Sequence, residues 1–483
     1  MMKLISKAEN SASFWFLIGC SFIFFLLRLP SLCEPYWYGD EGIYQVLGHA
    51  IRNDRLLYAE IWDNKPPLLY MIYGLFNSDQ FTVRLASLVS GMASVVAFHM
   101  LAKELFQNKG KIAFWTTGIF AVLFGLPLIE GNIANAENFM LLPVILAGLI
   151  LVKSSKYRLL AGLLISLAFL TKIVAIFDFA AFFLFLIFVN TPSSLTIKGL
   201  KAEVRKILPF LIGFFSPIIL VSLFFLFKGA FYDFLQASLL HMVGYVGHGN
   251  KFIIPQGLLI IKLVTLFIFT SFLFIKRAKL SPAFLFISIW FVFSMFNAFF
   301  AGRSYTHYLL VLLPSFSLLI GLIMASNLYR KFTIPLLVIS FLLILNNFGF
   351  YGKTIFYYQN FVSFVTGNKS VASYRGFFDR NTPRDYQLVQ FIKMNTNDKD
   401  NIFIWGNNAQ VYALTNKLPP GRYAVAYHIT GYKDGIENTQ RGIDNKKPKY
   451  VITMPNVSPI PIPLFNYRET NAIGNIRIYE RIF

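Results

Sequence analysis

Residues 14–27 read Phe14-Trp-Phe-Leu-Ile-Gly-Cys-Ser-Phe-Ile-Phe-Phe-Leu-Leu27, with Lys3 and Lys7 ahead of them. A run this apolar has no polar face to offer water, so it belongs in lipid. Two lysines before a short apolar run also fit a signal peptide. No small-residue cleavage pattern follows, however, and further runs come later, so the segment reads as a retained signal anchor.

The rest of the chain repeats the pattern. Of 483 residues, 56% are hydrophobic, 54 are Phe and only 14% are charged, against about 25% charged in a soluble domain. A membrane-crossing helix needs roughly 20 apolar residues. By that rule spans fall near 13–29, 81–102, 112–129, 139–152, 158–171, 173–190, 208–228, 256–275, 281–300, 306–326 and 333–350, about eleven in all. The pieces from 139 to 190 are short. Residues 66–77, starting with two prolines, are too short to cross and read as an interfacial or re-entrant helix.

The formal net charge of +21 would suggest nucleic acid in a soluble protein. Here the basic residues sit in alternate short loops, at Lys103, Lys109 and Lys111, at Lys153, Lys156 and Arg158, at Lys198, Lys201, Arg205 and Lys206, at Lys276, Arg277 and Lys279, and at Arg330 and Lys331. The intervening loops carry the acids, including Glu34, Asp40, Glu41, Asp63, Glu130 and Glu137. The positive-inside rule then puts the N-terminus in the cytoplasm and the C-terminal segment outside it, in a multi-pass protein of the cell (plasma or inner) membrane. The expected partners are membrane lipid and a small or lipid-borne substrate, not nucleic acid.

Residues 351–483 change composition. Arg384–Met394 has helical periodicity, while Asn401–Trp405, Tyr423–Tyr427, Lys449–Met454 and Gly474–Arg481 read as strands. The expected division is therefore a membrane domain, 1–350, and a small extracytoplasmic α/β domain, 351–483. Triplets at Asn368 and Asn456 match a glycosylation pattern that chance explains well. Cys20 and Cys33 make neither a disulfide framework nor a metal site.

The first long loop holds Tyr36-Trp-Tyr-Gly-Asp40-Glu41-Gly-Ile-Tyr44 and then Trp62-Asp-Asn-Lys65-Pro-Pro67. Gly39 breaks the chain and a helix begins at Asp40, where a carboxylate gains from the helix dipole and free amides. A helix cap is the plainest reading of Asp40 alone. Lys65 stands just before a second helix opened by prolines, a suitable place for a phosphate, although an interfacial lysine snorkelling to lipid head groups would look the same. Glu137 opens the fourth span, as a helix cap or as a second functional acid. Lys172, at the turn between the fifth and sixth spans, breaks the charge parity and calls for a partner such as phosphate. Asp178 lies inside a span, where an ionisable group is costly and is either functional or an interhelical polar contact. His241 and His248 are too weakly patterned for a metal claim. No metal motif or Asp-x-Asp stands out, so no cofactor is called for, and a divalent metal is left open.

Asp40-Glu41-x-x-Tyr44, Lys65-Pro66-Pro67-Leu68-Leu69-Tyr70 and Arg84-Leu85 together resemble the GT-C glycosyltransferases, and more narrowly the bacterial protein O-mannosyltransferase and aminoarabinose-transferase superfamily. The resemblance covers roughly residues 14–350 and is specific in the first loop. It implies a polytopic GT-C fold and sugar transfer from a polyprenyl-phosphate donor to an acceptor hydroxyl (glycan, lipid or protein) in envelope glycan or glycoprotein synthesis, with inversion. It makes Asp40 the catalytic base, with Glu41 and Glu137 as further acids. It gives phosphate or substrate binding to Lys65, with Arg84, Tyr44, Lys172, and Arg303 and His307 of Arg303-Ser-Tyr-Thr-His-Tyr308. The expected site is on the outer face, shared by the first loop, Glu137 and residues 303–307. One departure stands out: Gly42 and Ile43 follow the acidic pair where aminoarabinose transferases carry an Arg, which argues against an aminoarabinose donor. The rival class, a transporter or flippase of lipid-linked saccharides, should show repeated halves or broken helices; the sequence shows neither.

Overall fold

The computed structural model describes residues 2–107, 109–190, 197–241, 259–325, 327–455 and 457–482. His248, Asn456 and the start of the run at 256 lie outside them. Each of the eleven expected runs contains a helix. Among the described residues, eight helices are long and apolar enough to cross a membrane, from Ser11–Cys33 to Tyr329–Asn347. Gly110–Gly125 and Leu313–Ala325 are shorter apolar helices, and Arg158–Thr171 has 14 residues. The protein is a multi-pass helical membrane protein. The expected span 306–326 is split, because its first residues form a 3-10 turn, Thr306–Leu310, ahead of the helix at Leu313.

The chain divides into two compact units, and the division departs from the expected boundary at 350. One unit comprises Met1–Leu29, Ser87–Phe224 and Leu239–Thr354. The other comprises Pro30–Ala86, Phe225–Ser238 and Ile355–Phe483, so the first long loop belongs with the C-terminal segment.

The first unit is all helical. Its interior is dominated by Phe, Leu, Ile and Ala, with Phe182, Phe286 and Trp290 fully buried at its centre. Without a hydrophobic drive between helices in lipid, close approach of small residues matters. Gly162 and Gly213 supply it: a Cβ on either would strike the backbone of the opposite helix. Asp178 is buried and accepts a 2.8 Å hydrogen bond from Trp290 Nε1, an interhelical contact of the kind its position allowed.

The second unit carries the sheet, in order β1-β2-β4-β3, with β1 Ile402–Trp405, β2 Tyr450–Thr453, β3 Tyr467–Ile473 and β4 Ile476–Arg481. β1 and β2 are parallel and buried, which explains their unbroken apolar runs. The crossover between them carries helices Gln410–Thr415, Ala426–Gly431 and Gly435–Lys446. β3 and β4 form a hairpin turned at Gly474, whose φ of +57° suits glycine. The expected strand at Tyr423–Tyr427 is absent. Its first residues are irregular and its last two open the Ala426–Gly431 helix. The segment instead packs on aromatic neighbours: Tyr423 stacks on Tyr432 with centroids 5.6 Å apart and lies 5.8 Å from Trp62.

Candidate functional site

Asp40 lies in the first turn of the helix Gly39–Arg52, which starts without a side-chain cap. The plain cap reading therefore fails for it, since Asp40 is already inside the helix. Tyr44, one turn on, donates to Asp40 Oδ2 at 3.2 Å. The helix is set deep because Gly42 and Gly48 have no side chains. A Cβ on Gly42 would come within 2.7 Å of Gln410 N, and one on Gly48 within 2.7 Å of Gly74 N.

Lys65 precedes the helix Pro67–Leu75, whose prolines fix its start. Its backbone is pinned on both sides. Lys65 N donates to Tyr70 Oη at 3.0 Å, and Lys65 O accepts from Tyr58 Oη at 2.7 Å. Its ammonium stands 4.0 Å from Asp40 and 3.9 Å from Asp63, and 5.4 Å from the Tyr44 ring centroid. Those separations exceed the roughly 2.7–2.9 Å of a charge-assisted hydrogen bond. Asp40 is 38% exposed and Lys65 22%, so a ligand can reach both.

Asp63 is different. It is buried, accepts from Tyr70 Oη at 2.7 Å and lies 3.7 Å from His428 Nε2. Burial pushes its pKa up, but Lys65, His428, the Tyr70 hydroxyl and the Asn64 amide outweigh burial and hold it below the ordinary value. The same carboxylate and its own burial push the Tyr70 phenol far above its ordinary range.

Glu41 and Arg84, expected at the site, are used otherwise. The Arg84 guanidinium is fully buried and donates to both Glu41 oxygens, at 2.9 and 2.5 Å. It also pairs with Glu34 at 2.9 Å and donates to Ser31 O at 2.8 Å. Glu34 in turn accepts from Tyr357 and Trp37, at 2.6 and 2.8 Å. These contacts hold the buried Arg84 fork firmly within the unit.

The first unit brings together Glu137, Lys172 and His307. Lys172 pairs with Glu137 and lies 4.9 Å from the Tyr308 ring centroid. The carboxylate of Glu137 is thus a partner of the kind that the broken charge parity called for. His307 sits between two acids, Nδ1 3.1 Å from Glu130 and Nε2 3.8 Å from Glu137. Glu130 adopts a left-handed backbone, φ 60°, and also accepts from Thr306. Arg303 lies in the loop before this turn.

Neither a protein family nor a curated protein matches this sequence. Solved structures do. ArnT from Cupriavidus metallidurans in the apo state superposes with a TM-score of 0.55 at 14% identity, covering 97% of this chain and 98% of that one. ArnT bound to undecaprenyl phosphate gives 0.52 at 13% identity over the same shares. The Archaeoglobus fulgidus oligosaccharyltransferase in its apo form scores 0.48 at 13% identity, covering 91% and 69%.

The chain has the GT-C fold.

In this fold a side chain at position 42 would be driven into the backbone of Gln410, which the C-terminal segment lays across the helix. His428 and Asp63 are the residues that sequence reading passed over. Asp63 was visible only as one of several loop acids, and nothing local connects His428 to the first loop. Among the described residues, no group of three or more His, Cys, Asp or Glu is placed to hold a metal ion.

Proposed function

We propose that this protein is a membrane glycosyltransferase that moves a sugar from a polyprenyl phosphate to an acceptor hydroxyl on the extracytoplasmic face of the cell membrane. The observation that carries the reading is the Asp40–Lys65 pair: an accessible carboxylate and an accessible ammonium 4.0 Å apart, each fixed by its own helix start. The fold supports it, since the similar ArnT was solved bound to undecaprenyl phosphate.

In the proposed step Asp40 takes the proton of the acceptor hydroxyl as its oxygen bonds to the anomeric carbon. The bond from that carbon to the phosphate oxygen breaks on the opposite face, and the polyprenyl phosphate leaves with the electron pair. Lys65 stabilises the charge growing on the phosphate. Tyr44 holds one oxygen of Asp40 and flanks the Lys65 ammonium. A retaining route would need a carboxylate nucleophile beside the acid–base pair. Asp63, the nearby candidate, is buried against Tyr70, which supports a single displacement with inversion.

A transporter of lipid-linked saccharides should be built from repeated halves, whereas one unit here is all helical and the other carries the sheet. The test is mass spectrometry of lipid retained by the purified protein. A polyprenyl phosphate or its glycoside should co-purify with the wild type and be lost from Lys65→Ala. Wild-type protein that neither retains nor binds added undecaprenyl phosphate would contradict the reading.

A further inference from the structure

Asp63, in the first long loop, faces two basic side chains from different parts of the chain. Lys65 Nζ approaches it from the loop and His428 Nε2 from the helix Ala426–Gly431, at 3.9 and 3.7 Å. Tyr70 Oη and the Asn64 amide donate to it, and the Tyr58 and Tyr432 phenols face it. His428 is buried and held by rings: Trp62 edge-on at 5.0 Å, Tyr427 at 4.4 Å and Tyr432 at 6.0 Å. The same loop is tied to the C-terminal segment by Trp62 N donating to Arg422 O at 3.0 Å. The Lys65 ammonium therefore stands between a buried, fixed carboxylate and the more exposed Asp40.

We propose that His428 is a positioning residue for the Lys65 ammonium, acting through Asp63, and that its protonation strengthens binding of a lipid phosphate at Lys65. The proposal rests on the reading of Lys65 as the phosphate ligand. With His428 neutral, Lys65 is the permanent cation beside Asp63 among the described residues, and the carboxylate draws the ammonium toward itself. With His428 charged, Asp63 is shared between two cations and Lys65 is more available to an incoming anion. An ordinary imidazole changes charge between about pH 5 and 8, and the experiment spans that interval. The groups that bear on it are Asp63, Trp62, Tyr427 and Tyr432 around His428, and Asp40, Asp63 and Tyr44 around Lys65. This gives the C-terminal segment a part in setting the site's affinity.

The experiment is titration of the full-length protein in lipid nanodiscs with undecaprenyl phosphate, from pH 5.5 to 8.5. Wild type, His428→Gln, Asp63→Asn, the double variant and Lys65→Ala are compared. His428→Asn runs alongside, should the longer amide disturb the Trp62 packing. Taking the ratio of wild-type to His428→Gln affinity cancels the titration of the probe's own phosphate. The expected ratio is about tenfold at pH 5.5, falling to about one at pH 8.5. In the Asp63→Asn background the His428 substitution should have no further effect. A ratio that does not change with pH, or that survives in Asp63→Asn, overturns the proposal while leaving a Lys65-dependent phosphate site in place. Wild-type protein without affinity for the probe, or Lys65→Ala with full affinity, overturns the phosphate site itself and the proposal with it.

Discussion

Arg84 and Lys65 are both cations set between two carboxylates in the same unit. Arg84 is fully buried and contacts Glu34 and Glu41 at 2.5–2.9 Å, and Glu34 has further partners in Tyr357 and Trp37. Lys65 is 22% exposed and stands 3.9–4.0 Å from Asp40 and Asp63. Residue type does not separate these groups; closure and exposure do. A buried, fully bonded fork is a strut, because breaking it leaves charge with no solvent to replace the partner. An open pair on an accessible helix start contributes little stability, which leaves its charges available to a ligand. Arg also suits the closed group, since its planar fork matches two carboxylates at once, whereas an ammonium adapts to a passing phosphate.

That contrast can be broken or sharpened by experiment. Arg84→Ala should cost about 3–5 kcal/mol by stranding Glu34 and Glu41, seen as lost monodisperse protein in detergent; wild-type thermal stability would show that the fork is not a strut. Gly42→Ala should cost about 1–3 kcal/mol as its methyl meets the Gln410 backbone. Because the same shift moves Asp40, turnover should fall more than lipid binding does, and equal losses in both would argue against a positioning fault.

A third test uses Asp385, a buried carboxylate with no cation as close as those facing Asp63. Burial raises its pKa to about 6, against hydrogen bonds from Asn408 and Gln410 and the Arg384 charge. A raised folded value means that the native state holds the proton more tightly. The C-terminal segment should therefore lose stability, about 3 kcal/mol, as pH rises from near 4 through 6. Asp63, held low, has the opposite sign: its contribution is present above the unfolded value and lost as pH falls through the folded one. Hydrogen exchange of the sheet, with Asp385→Asn abolishing the slope, checks this; a slope that persists in the variant assigns it elsewhere. Lys65→Ala strands buried Asp63 only in part, because His428, Tyr70 and Asn64 still hold it, so it should cost less stability than Arg84→Ala while weakening undecaprenyl phosphate binding about tenfold. A large drop in melting temperature would move Lys65 into the class of Arg84.

The membrane fold was legible because apolar runs are set by lipid and need no tertiary context. The helix starts beside Asp40 and Lys65 were legible because glycine and proline mark them. The pairing of Arg84 with Glu34 and Glu41 was not legible, because it depends on chain packing that spacing does not reveal. Lys172 announced the need for a partner, but only the fold identified Glu137. Tyr423–Tyr427 has strand-like residues, yet its rings are wanted by Trp62 and Tyr432, and packing overrode propensity. The polar edge strand β3 escaped because its residues, Arg468, Glu469 and Asn471 among them, show no apolar alternation.

The central claim is that Asp40, and not its neighbour Glu41, performs the chemistry. The direct measurement is turnover of the polyprenyl-linked sugar found on the purified protein, read as released polyprenyl phosphate, in Asp40→Asn and Glu41→Gln. Asp40→Asn should keep the wild-type melting temperature and lose activity by about 10²–10⁴-fold, while Glu41→Gln should lose stability. An Asp40→Asn protein that folds, binds the lipid and turns over at the wild-type rate would contradict the account.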